Sequence, residues 1–252
     1  MSVKLHHRVV GRPSGPTVVL GGSIGATLES WNSLIDELAQ DHRVIAYDHR
    51  GHGGSPAPDG PYTLGELAAD VLAVMDDWQA DRASLVGLSL GGMVAQRIAA
   101  QQPDRVDRLV LLCTASHYDD PASWRQRAAV VREGGTEAVA DVTLERWFTP
   151  AYRHNHQPVV QRWRRAILGI DREGYAGCCE AIAGMDLRGD LARITAPTLV
   201  LAGADDPAAP PQGLQALAES IPDARFAVVP GAHVPTIEEP VAVNAEIRTH
   251  LA

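Results

Sequence analysis

One serine in this chain lies in a setting that favours nucleophilic chemistry. Ser89 is the central residue of the segment 87–91, GLSLG, a Gly-x-Ser-x-Gly motif. The apolar pair Leu85 and Val86 precedes the motif, and apolar residues at helical spacing follow it. A Gly-x-Ser-x-Gly motif between a strand and a helix is typical of a nucleophile elbow, a turn so tight that glycines must flank the serine. The motif predicts that Ser89 attacks a substrate from the sheet edge; the alternative is a Gly-rich turn with an ordinary serine.

Two further residues, Asp206 and His233, could complete a catalytic triad with Ser89. A nucleophilic serine needs a base to accept its proton and an acid to hold that base in the right tautomer. Asp206 follows the predicted strand 199–202 in the turn GADD, and His233 follows the next predicted strand. The chain order serine, acid, histidine is the order that accompanies this elbow. Asp205 is the alternative acid, either carboxylate could instead cap a helix, and His233 could be an ordinary loop histidine.

Two backbone N–H groups are expected to bind the negative oxygen that develops when the serine attacks a carbonyl group. One is the N–H of Leu90, the residue after the serine. The other is expected in the glycine-rich loop 21–25, which directly follows an early predicted strand. Ile24 is the predicted donor in this loop, with Ser23 as the alternative, because the neighbouring glycines let the backbone approach closely.

Alternating strand and helix patterns surround these residues. Short apolar runs predict strands at 9–10, 18–20, 44–47, 85–86, 109–112, 199–202 and 225–229. Apolar residues at helical spacing predict helices at 31–38, 64–75, 93–99 and 214–221. Strands that alternate with helices pair in parallel and are covered on both faces. The pattern therefore predicts an α/β fold with a mostly parallel sheet flanked by helices.

Residues 117–193 interrupt this alternation, because they show no strand pattern and are rich in Trp and Arg. We interpret this segment as a helical cap inserted after the sixth strand, with residues 1–116 and 194–252 forming the α/β core. Trp124 and Trp147 are candidates for the wall of a substrate pocket, although each could equally belong to the core of the cap. The arginines of this segment that come into question as substrate ligands are Arg125, Arg127, Arg132 and Arg146.

Three other groups match weaker functional patterns. His52, in the sequence RGHG, is expected to brace a loop rather than to perform chemistry. His154 and His156 lack a third ligand at suitable spacing, so they do not predict a metal site. The chain has no G-x-G-x-x-G motif, and the glycines at 51–54 lead into Pro56 rather than into a helix. We therefore expect neither a metal nor an organic cofactor.

The composition limits the class of partner. The 252 residues carry a formal net charge of -9, which argues against nucleic acid or an anionic membrane surface. The N-terminal sequence lacks the apolar run of a signal peptide, and no stretch of about 18 apolar residues could span a bilayer. The cysteines, Cys113, Cys178 and Cys179, form no disulfide framework. We expect a cytoplasmic protein that acts on a small molecule; the oligomeric state stays open.

Together these residues resemble the α/β-hydrolase superfamily over nearly the whole chain, and within it the 3-oxoadipate enol-lactonases of the β-ketoadipate pathway. The broad resemblance rests on segments 48–55 and 87–91, Asp206 and His233. The narrower one rests on segments 22–25, 146–150, 173–182, 185–188 and 206–211. Departures from the family pattern are Leu90, where Met is usual, the pair 204–205 before the acid, and segment 234–236 after the base.

The resemblance implies a serine hydrolase that opens the ring of a small carboxylated lactone. The implied reaction converts 3-oxoadipate enol-lactone to 3-oxoadipate through an acyl-enzyme, with Ser89 as nucleophile, His233 as base and Asp206 as acid. The substrate carboxylate needs a cationic or amide partner, and an arginine of the cap is the expected one. The family implies no cofactor.

Two other functions stay open. The first is a different hydrolase of the same fold: a carboxylesterase, a C–C bond hydrolase or a cofactor-free perhydrolase. The second is a non-catalytic receptor for small molecules on the same scaffold. The intact combination of Ser89, Asp206 and His233 argues against a receptor.

Overall fold

A mixed β-sheet forms the centre of the structure, a computed structural model that describes residues 2–252. Seven strands build it in this range: β1 (His7–Gly11), β2 (Thr17–Gly21), β3 (Arg43–Tyr47), β4 (Ala83–Leu88), β5 (Val106–Leu112), β6 (Thr198–Gly203) and β7 (Ala224–Val229). Their order across the sheet is β1-β3-β2-β4-β5-β6-β7. β1 is antiparallel to β3, and the other neighbours are parallel. The mostly parallel sheet predicted from the apolar runs is confirmed.

The α-helices described in residues 2–252 are α1 (Asn32–Leu38), α2 (Leu64–Asp77), α3 (Leu90–Gln101), α4 (Pro121–Gly134), α5 (Glu137–Trp147), α6 (Pro150–Asn155), α7 (Gln157–Leu168), α8 (Arg172–Ala183), α9 (Pro211–Glu219), α10 (Pro235–Glu238) and α11 (Pro240–Leu251). Several helix starts follow from local sequence. Thr63 and Glu66 form a reciprocal capping box at α2, and the side chains of Asp120 and Asp171 cap α4 and α8.

Both faces of the sheet are buried, because successive strand residues point to opposite faces. Val19 packs into the apolar layer that contains residues of α2, α3 and α9. Its neighbours Val18 and Leu20 pack into the opposite layer, which contains residues of α1 and α11. The sheet is thus a rigid platform, and its strands β2, β4, β6 and β7 end in the loops that carry the candidate site residues.

A helical insertion, α4–α8, lies in the chain between β5 and β6. The expectation that it follows the sixth strand was wrong by one strand, since β5 is the fifth strand of the part of the chain that the structure describes. Only five apolar runs precede residue 117, and each forms one strand. The segment that enters the insertion and the segment that leaves it are paired with each other by an isolated antiparallel bridge between His117 and Asp186. Within the described residues, no helix combines the length and the hydropathy needed to cross a membrane.

Candidate active site

Ser89 occupies a sharp turn between β4 and α3. Its backbone has φ 54° and ψ -112°, a conformation that costs an L-residue about 1–3 kcal/mol. A Cβ atom on Gly87 would lie 2.3 Å from the carbonyl oxygen of Gly91, and one on Gly91 would lie 2.2 Å from the carbonyl oxygen of Gly21. The two glycines of the motif are therefore required sterically, as expected for a nucleophile elbow.

Asp206 and His233 lie together at the ends of β6 and β7. His233 Nδ1 is 2.8 Å from Asp206 Oδ2, and both side chains are buried. The other carboxylate oxygen, Oδ1, accepts hydrogen bonds from the N–H groups of Ala208 and Ala209 at 2.8 and 3.1 Å. Because a carboxylate only accepts, Nδ1 carries the proton and Nε2 is left with a free lone pair. Asp205 is exposed and makes no such contact, so this geometry favours Asp206 as the acid.

Ser89 and His233 line one cavity of about 330 Å³. The predicted residues Ser23, Ile24, Trp124 and Trp147 border it as well. The complete lining is Ser23, Ile24, Ser89, Tyr118, Ser123, Trp124, Arg127, Thr143, Arg146, Trp147, Tyr175, Pro207, Ala208 and His233. Residues that lie far apart in sequence on the elbow, the β2 and β7 loops and the insertion thus meet around one space.

The two tryptophans play different structural roles in the cavity wall. Trp147 is 2% exposed and packs edge-on against Phe148 and Trp163, so it belongs to the apolar core of the insertion as well as to the wall. Trp124 is only partly buried and packs against Tyr118, its ring centroid 5.4 Å from that of the tyrosine. Trp147 is therefore both a residue of the cavity wall and a core residue.

The backbone near Ser89 offers donors for a developing oxyanion. Leu90 is the first residue of α3, where an N–H group has no acceptor within its own helix. The N–H of Gly25 donates to His52 Nε2 at 3.0 Å and is therefore occupied. Across residues 2–252, the N–H of Ile24 has no hydrogen-bond acceptor in the protein. The arrangement leaves Leu90 and Ile24 as candidates, with Ser23 beside Ile24 in the same lining.

Of the four arginines in question, two border the cavity. Arg127 donates from Nε and Nη2 to the hydroxyl of Tyr175 at 3.0 and 2.7 Å, and Nη2 also donates to Thr143. Arg146 is exposed, and it forms no ion pair with a carboxylate of the described chain. The lining therefore contains two cationic groups that are not neutralised by an acidic side chain.

The remaining two arginines lie elsewhere. Arg132 pairs with Glu173 and Glu180, each at 2.6 Å, so its charge is used inside the insertion. Arg125 borders a separate groove with Arg97. His154 and His156 are exposed. The described residues contain no group of three or more His, Cys, Asp or Glu side chains that could hold a metal ion.

Several residues around the cavity were not predicted as site residues from the sequence. Tyr118, Thr143 and Tyr175 lie in or near the insertion at no recognisable spacing from Ser89, and only the packing of the insertion brings them to the cavity. Burial and the nearby Asp206 raise the pKa of Tyr118 well above its usual range, so its hydroxyl stays protonated and can donate to a ligand. His52 is expected from the sequence to brace a loop, but its hydrogen bond to Gly25 in the glycine-rich loop 21–25 is not predicted.

Comparisons with known proteins agree with this fold. The family described as the alpha/beta hydrolase fold matches residues 16–167 and 139–240 of the chain. 3-Oxoadipate enol-lactonase 2 of Acinetobacter baylyi is 35% identical over 242 residues, which cover 96% of this chain and 91% of that protein. A relative from Variovorax paradoxus, provisionally named carbamate hydrolase RutD, is 31% identical over 98% of this chain and 96% of that protein.

The solved structures agree with the sequence relatives. The crystal structure of the enol-lactonase from Burkholderia xenovorans LB400 matches with a TM-score of 0.96 and 38% identity, over 98% of this chain and 96% of that one. The resemblance to the enol-lactonases that the motifs indicated is confirmed. On the sequence match, the parallel sheet and the serine elbow, the chain belongs to the α/β-hydrolase fold family.

Proposed function

We propose that this protein is a serine hydrolase that opens the ring of 3-oxoadipate enol-lactone, a small carboxylated enol-lactone, to give 3-oxoadipate. The observation that carries the proposal is the cavity that Ser89 and His233 share with two arginines free of acidic partners. Its volume of about 330 Å³ suits a small ligand. Relatives that are named 3-oxoadipate enol-lactonases support the same substrate.

The proposed reaction begins when Ser89 Oγ attacks the lactone carbonyl and His233 Nε2 takes its proton. Asp206 accepts the Nδ1–H bond and stabilises the imidazolium that forms. The N–H groups of Leu90 and Ile24 bind the oxyanion. Collapse of this intermediate breaks the ring C–O bond, and the His233 imidazolium returns its proton to the departing enol oxygen, which stays tethered to the acyl-enzyme. His233 then activates a water molecule that hydrolyses the ester, and the enol tautomerises to the ketone.

Substrate choice is assigned to the helical insertion, residues 117–193, which we propose as a cap over the core formed by 1–116 and 194–252. The net charge of -9 does not attract an anionic lactone, so local cations must bind its carboxylate. A guanidinium can form two parallel hydrogen bonds to a carboxylate, which fixes orientation as well as position. Arg127 is already held by Tyr175 and Thr143, and Arg146 is unpaired at the rim.

The proposal is tested with freshly generated enol-lactone, a neutral aryl acetate and a carbamate as substrates. We expect Arg127→Ala or Arg146→Ala, or both, to lower kcat/KM for the lactone by about 30- to 900-fold, since a charge-assisted pair contributes about 2–4 kcal/mol in a partly dry site. In Arg146→Ala, hydrolysis of the aryl acetate does not use this contact and should stay within about threefold. Arg127→Ala also removes the donor to Tyr175, so for this variant the loss of kcat/KM is expected to be larger for the lactone than for the aryl acetate. Arg125→Ala is the matched control, because Arg125 borders a different groove.

Different results separate the alternatives. Wild-type protein that cleaves the aryl acetate or the carbamate, but not the lactone, would leave a serine hydrolase with another substrate. Loss of both activities in parallel in the arginine variants would mean that these arginines are structural. Wild-type protein that is not labelled at Ser89 by a serine-directed phosphonate would instead favour a non-catalytic receptor.

A further inference from the structure

The loop that carries Ile24 is fastened from behind by the loop 48–54, which follows β3. Asp48 Oδ1 accepts a hydrogen bond from the N–H of Leu28 at 2.7 Å. His49 Nε2 donates to the carbonyl oxygen of Gly22 at 2.9 Å, and His52 Nε2 accepts from the N–H of Gly25 at 3.0 Å. These three hydrogen bonds therefore hold the backbone both before and after Ile24.

His52 is fixed in one tautomer. Its Nε2 accepts a hydrogen bond, so the proton lies on Nδ1, which donates to the carbonyl oxygen of Arg50 at 2.9 Å. The side chain is fully buried. Burial lowers the pKa of His52 below its ordinary value, which keeps the ring neutral and its Nε2 lone pair available to Gly25.

The position of the ring is also fixed. The rings of His52 and Tyr175 are stacked, with centroids 6.2 Å apart and planes at 17°. Tyr175 in turn accepts hydrogen bonds from Arg127, which lines the cavity. A Cβ atom on Gly25 would lie 3.2 Å from Trp147 and 3.7 Å from Tyr175, so the backbone at Gly25 packs closely against both rings.

Gly25 needs such a restraint. Its φ of 90° lies in the region that glycine enters freely, and two more glycines precede Ser23 in the same loop. A loop of this composition has many backbone orientations, and a hydrogen bond to a rigid acceptor selects one of them. A donor stabilises a developing oxyanion well only when it is already oriented before the reaction.

We propose that His52 is a positioning residue for the oxyanion hole: by holding the N–H of Gly25, it directs the N–H of Ile24 toward the oxygen that develops above Ser89. This inference rests on the proposed serine-hydrolase function. His52 does not border the cavity and touches no reacting atom. Its effect therefore acts on the transition state through the loop and not on substrate binding.

Three substitutions separate positioning from general structural support. His52→Phe keeps a flat ring against Tyr175 but removes the acceptor. His52→Asn stays polar but is too short to reach Gly25. His52→Gln offers an amide oxygen to Gly25 and an amide N–H to the carbonyl oxygen of Arg50. The measurements are kcat and KM with an aryl acetate, the rate of inactivation by a serine-directed phosphonate, and Tm.

We expect His52→Phe and His52→Asn to lower kcat about 10²–10³-fold, the effect of losing one oxyanion donor, with KM within about threefold. The rate of phosphonate inactivation should fall in parallel, because that reaction also places a negative oxygen in the hole. His52→Gln should recover kcat to within about tenfold of wild type. The control His250→Gln changes a half-buried histidine that also bonds a carbonyl, that of Pro197, and should leave kcat unchanged.

The inference is overturned if His52→Asn, or a folded His52→Phe variant, keeps kcat within threefold of wild type. It is equally overturned if His52→Gln is as slow as His52→Asn, or if KM rises while kcat is preserved. A failure of the proposed function looks different, since the wild-type protein itself would then neither hydrolyse the aryl acetate nor react with the phosphonate.

Discussion

At the scale of single residues, the elbow shows how strain and chemistry are connected. Ser89 has φ 54°, and its amide N–H donates to the carbonyl oxygen of Leu112 on β5. The carbonyl oxygen of Ser89 accepts from the hydroxyl of Thr114 at 2.7 Å. These bonds to the end of β5 and to the residues that follow it hold a backbone conformation that the serine would not adopt alone. The hydrogen bonds to the surrounding structure therefore offset the strain at Ser89, the proposed nucleophile.

Replacement of Ser89 tests both the chemistry and the strain. Ser89→Ala should fold normally and lose nearly all turnover, leaving at most about 10³–10⁴-fold over the uncatalysed rate from binding and the oxyanion hole. Ser89→Gly should also be inactive, but its Tm should be higher than that of Ser89→Ala, because glycine accepts a positive φ without cost. Kinetics and thermal unfolding of the two variants check this. Turnover of Ser89→Ala within tenfold of wild type would exclude Ser89 as the nucleophile.

The neighbouring carboxylates Asp205 and Asp206 give a second test at this scale. Asp206→Asn should lower kcat about 10⁴-fold, because an amide in contact with Nδ1 favours the wrong tautomer of His233. Asp205→Asn should have little effect, since Asp205 is exposed and Asp206 alone contacts the histidine. Steady-state kinetics decide between them. A large loss in Asp205→Asn with an active Asp206→Asn would show that the turn supplies the other acid.

The candidate site residues that could be named from the sequence are those marked by local pattern. Ser89 has glycines at fixed positions, and Asp206 and His233 directly follow apolar strands. Arg127 has no such marker. Its position depends on Tyr175, which lies 48 residues away in the chain and meets it only because α4 packs along α8. A contact of that kind depends on tertiary packing, so no local pattern could distinguish Arg127 from the other arginines.

At the scale of elements, the end of α5 is hydrogen-bonded directly to the loop that carries His233, the proposed base (the base loop). The N–H of His233 donates to the carbonyl oxygen of Arg146 at 3.3 Å, and that of Val234 donates to Trp147 at 3.1 Å. These carbonyls lie in the last turn of α5, where they have no partner within the helix. The backbone N–H groups of the base loop therefore satisfy the free carbonyl groups at the C-terminal end of α5. A shift of α5 would consequently move His233.

Glu238 in α10 strengthens this connection. Its carboxylate accepts from the N–H of Ala232 at 3.0 Å, and from both the N–H and the hydroxyl of Thr149, which follows α5. Every partner of Glu238 is a donor. One carboxylate thus joins the base loop to the insertion, a role that the sequence did not indicate.

Removal of this carboxylate should loosen the base. We expect Glu238→Ala to lower the free energy of unfolding by about 1–3 kcal/mol, the cost of leaving partly buried donors unpaired. It should also lower kcat, because His233 is held less firmly. Denaturant unfolding and kinetics measure the two effects. Glu133→Ala, an exposed acid on α4, is the control; a stability loss in Glu238→Ala without any change in kcat would show that Glu238 does not position the base.

The elements themselves were largely predictable, and the exceptions have physical reasons. Each predicted strand and helix of the core is present, because each strand is a clear apolar run and each helix repeats apolar residues at helical spacing. The C-terminal helix α11 was not predicted, since Val243, Asn244 and Ile247 are its only buried residues in the described structure and one of them is polar. The five helices of the insertion were expected only as a group, because their boundaries depend on caps and on packing against the core.

At the scale of the whole molecule, the α/β alternation determines which residues can meet, but not how the insertion lies over the sheet. That placement depends on close approaches such as the one between Gly51 and Gly174, where a Cβ atom on either glycine would come within 2.5 Å of the other's Cα. The N–H of Asp171 also donates to the carbonyl oxygen of Gly51 at 3.0 Å. The loop after β3 thus supports both the oxyanion loop and the insertion.

His49, at the centre of this support, links the stability of the whole molecule to pH. Burial and the neighbouring His52 lower the pKa of His49 from 6.5 to about 3, and its ring donates to Gly22. Between these two pH values the unfolded chain binds a proton at His49 and the folded protein does not. The free energy of unfolding must therefore fall as the pH drops below 6.5, by about 2 kcal/mol at pH ~5 for this one residue. His52, whose pKa is also lowered by burial, acts in the same direction.

The effect of His49 can be isolated by substitution. His49→Gln retains an N–H that can donate to Gly22 but does not titrate, so its loss of stability between pH ~7.5 and pH ~5 should be smaller than that of wild type by about 2 kcal/mol. Urea unfolding at the two pH values measures the loss for each protein. A constant change in stability caused by the substitution cancels, because only the change between the two pH values is compared. His154→Gln, a change at an exposed histidine, should show the full wild-type loss. An equal loss in wild type and His49→Gln would mean that His49 takes up its proton in the folded protein as well, and that the support beneath the oxyanion loop admits a charge.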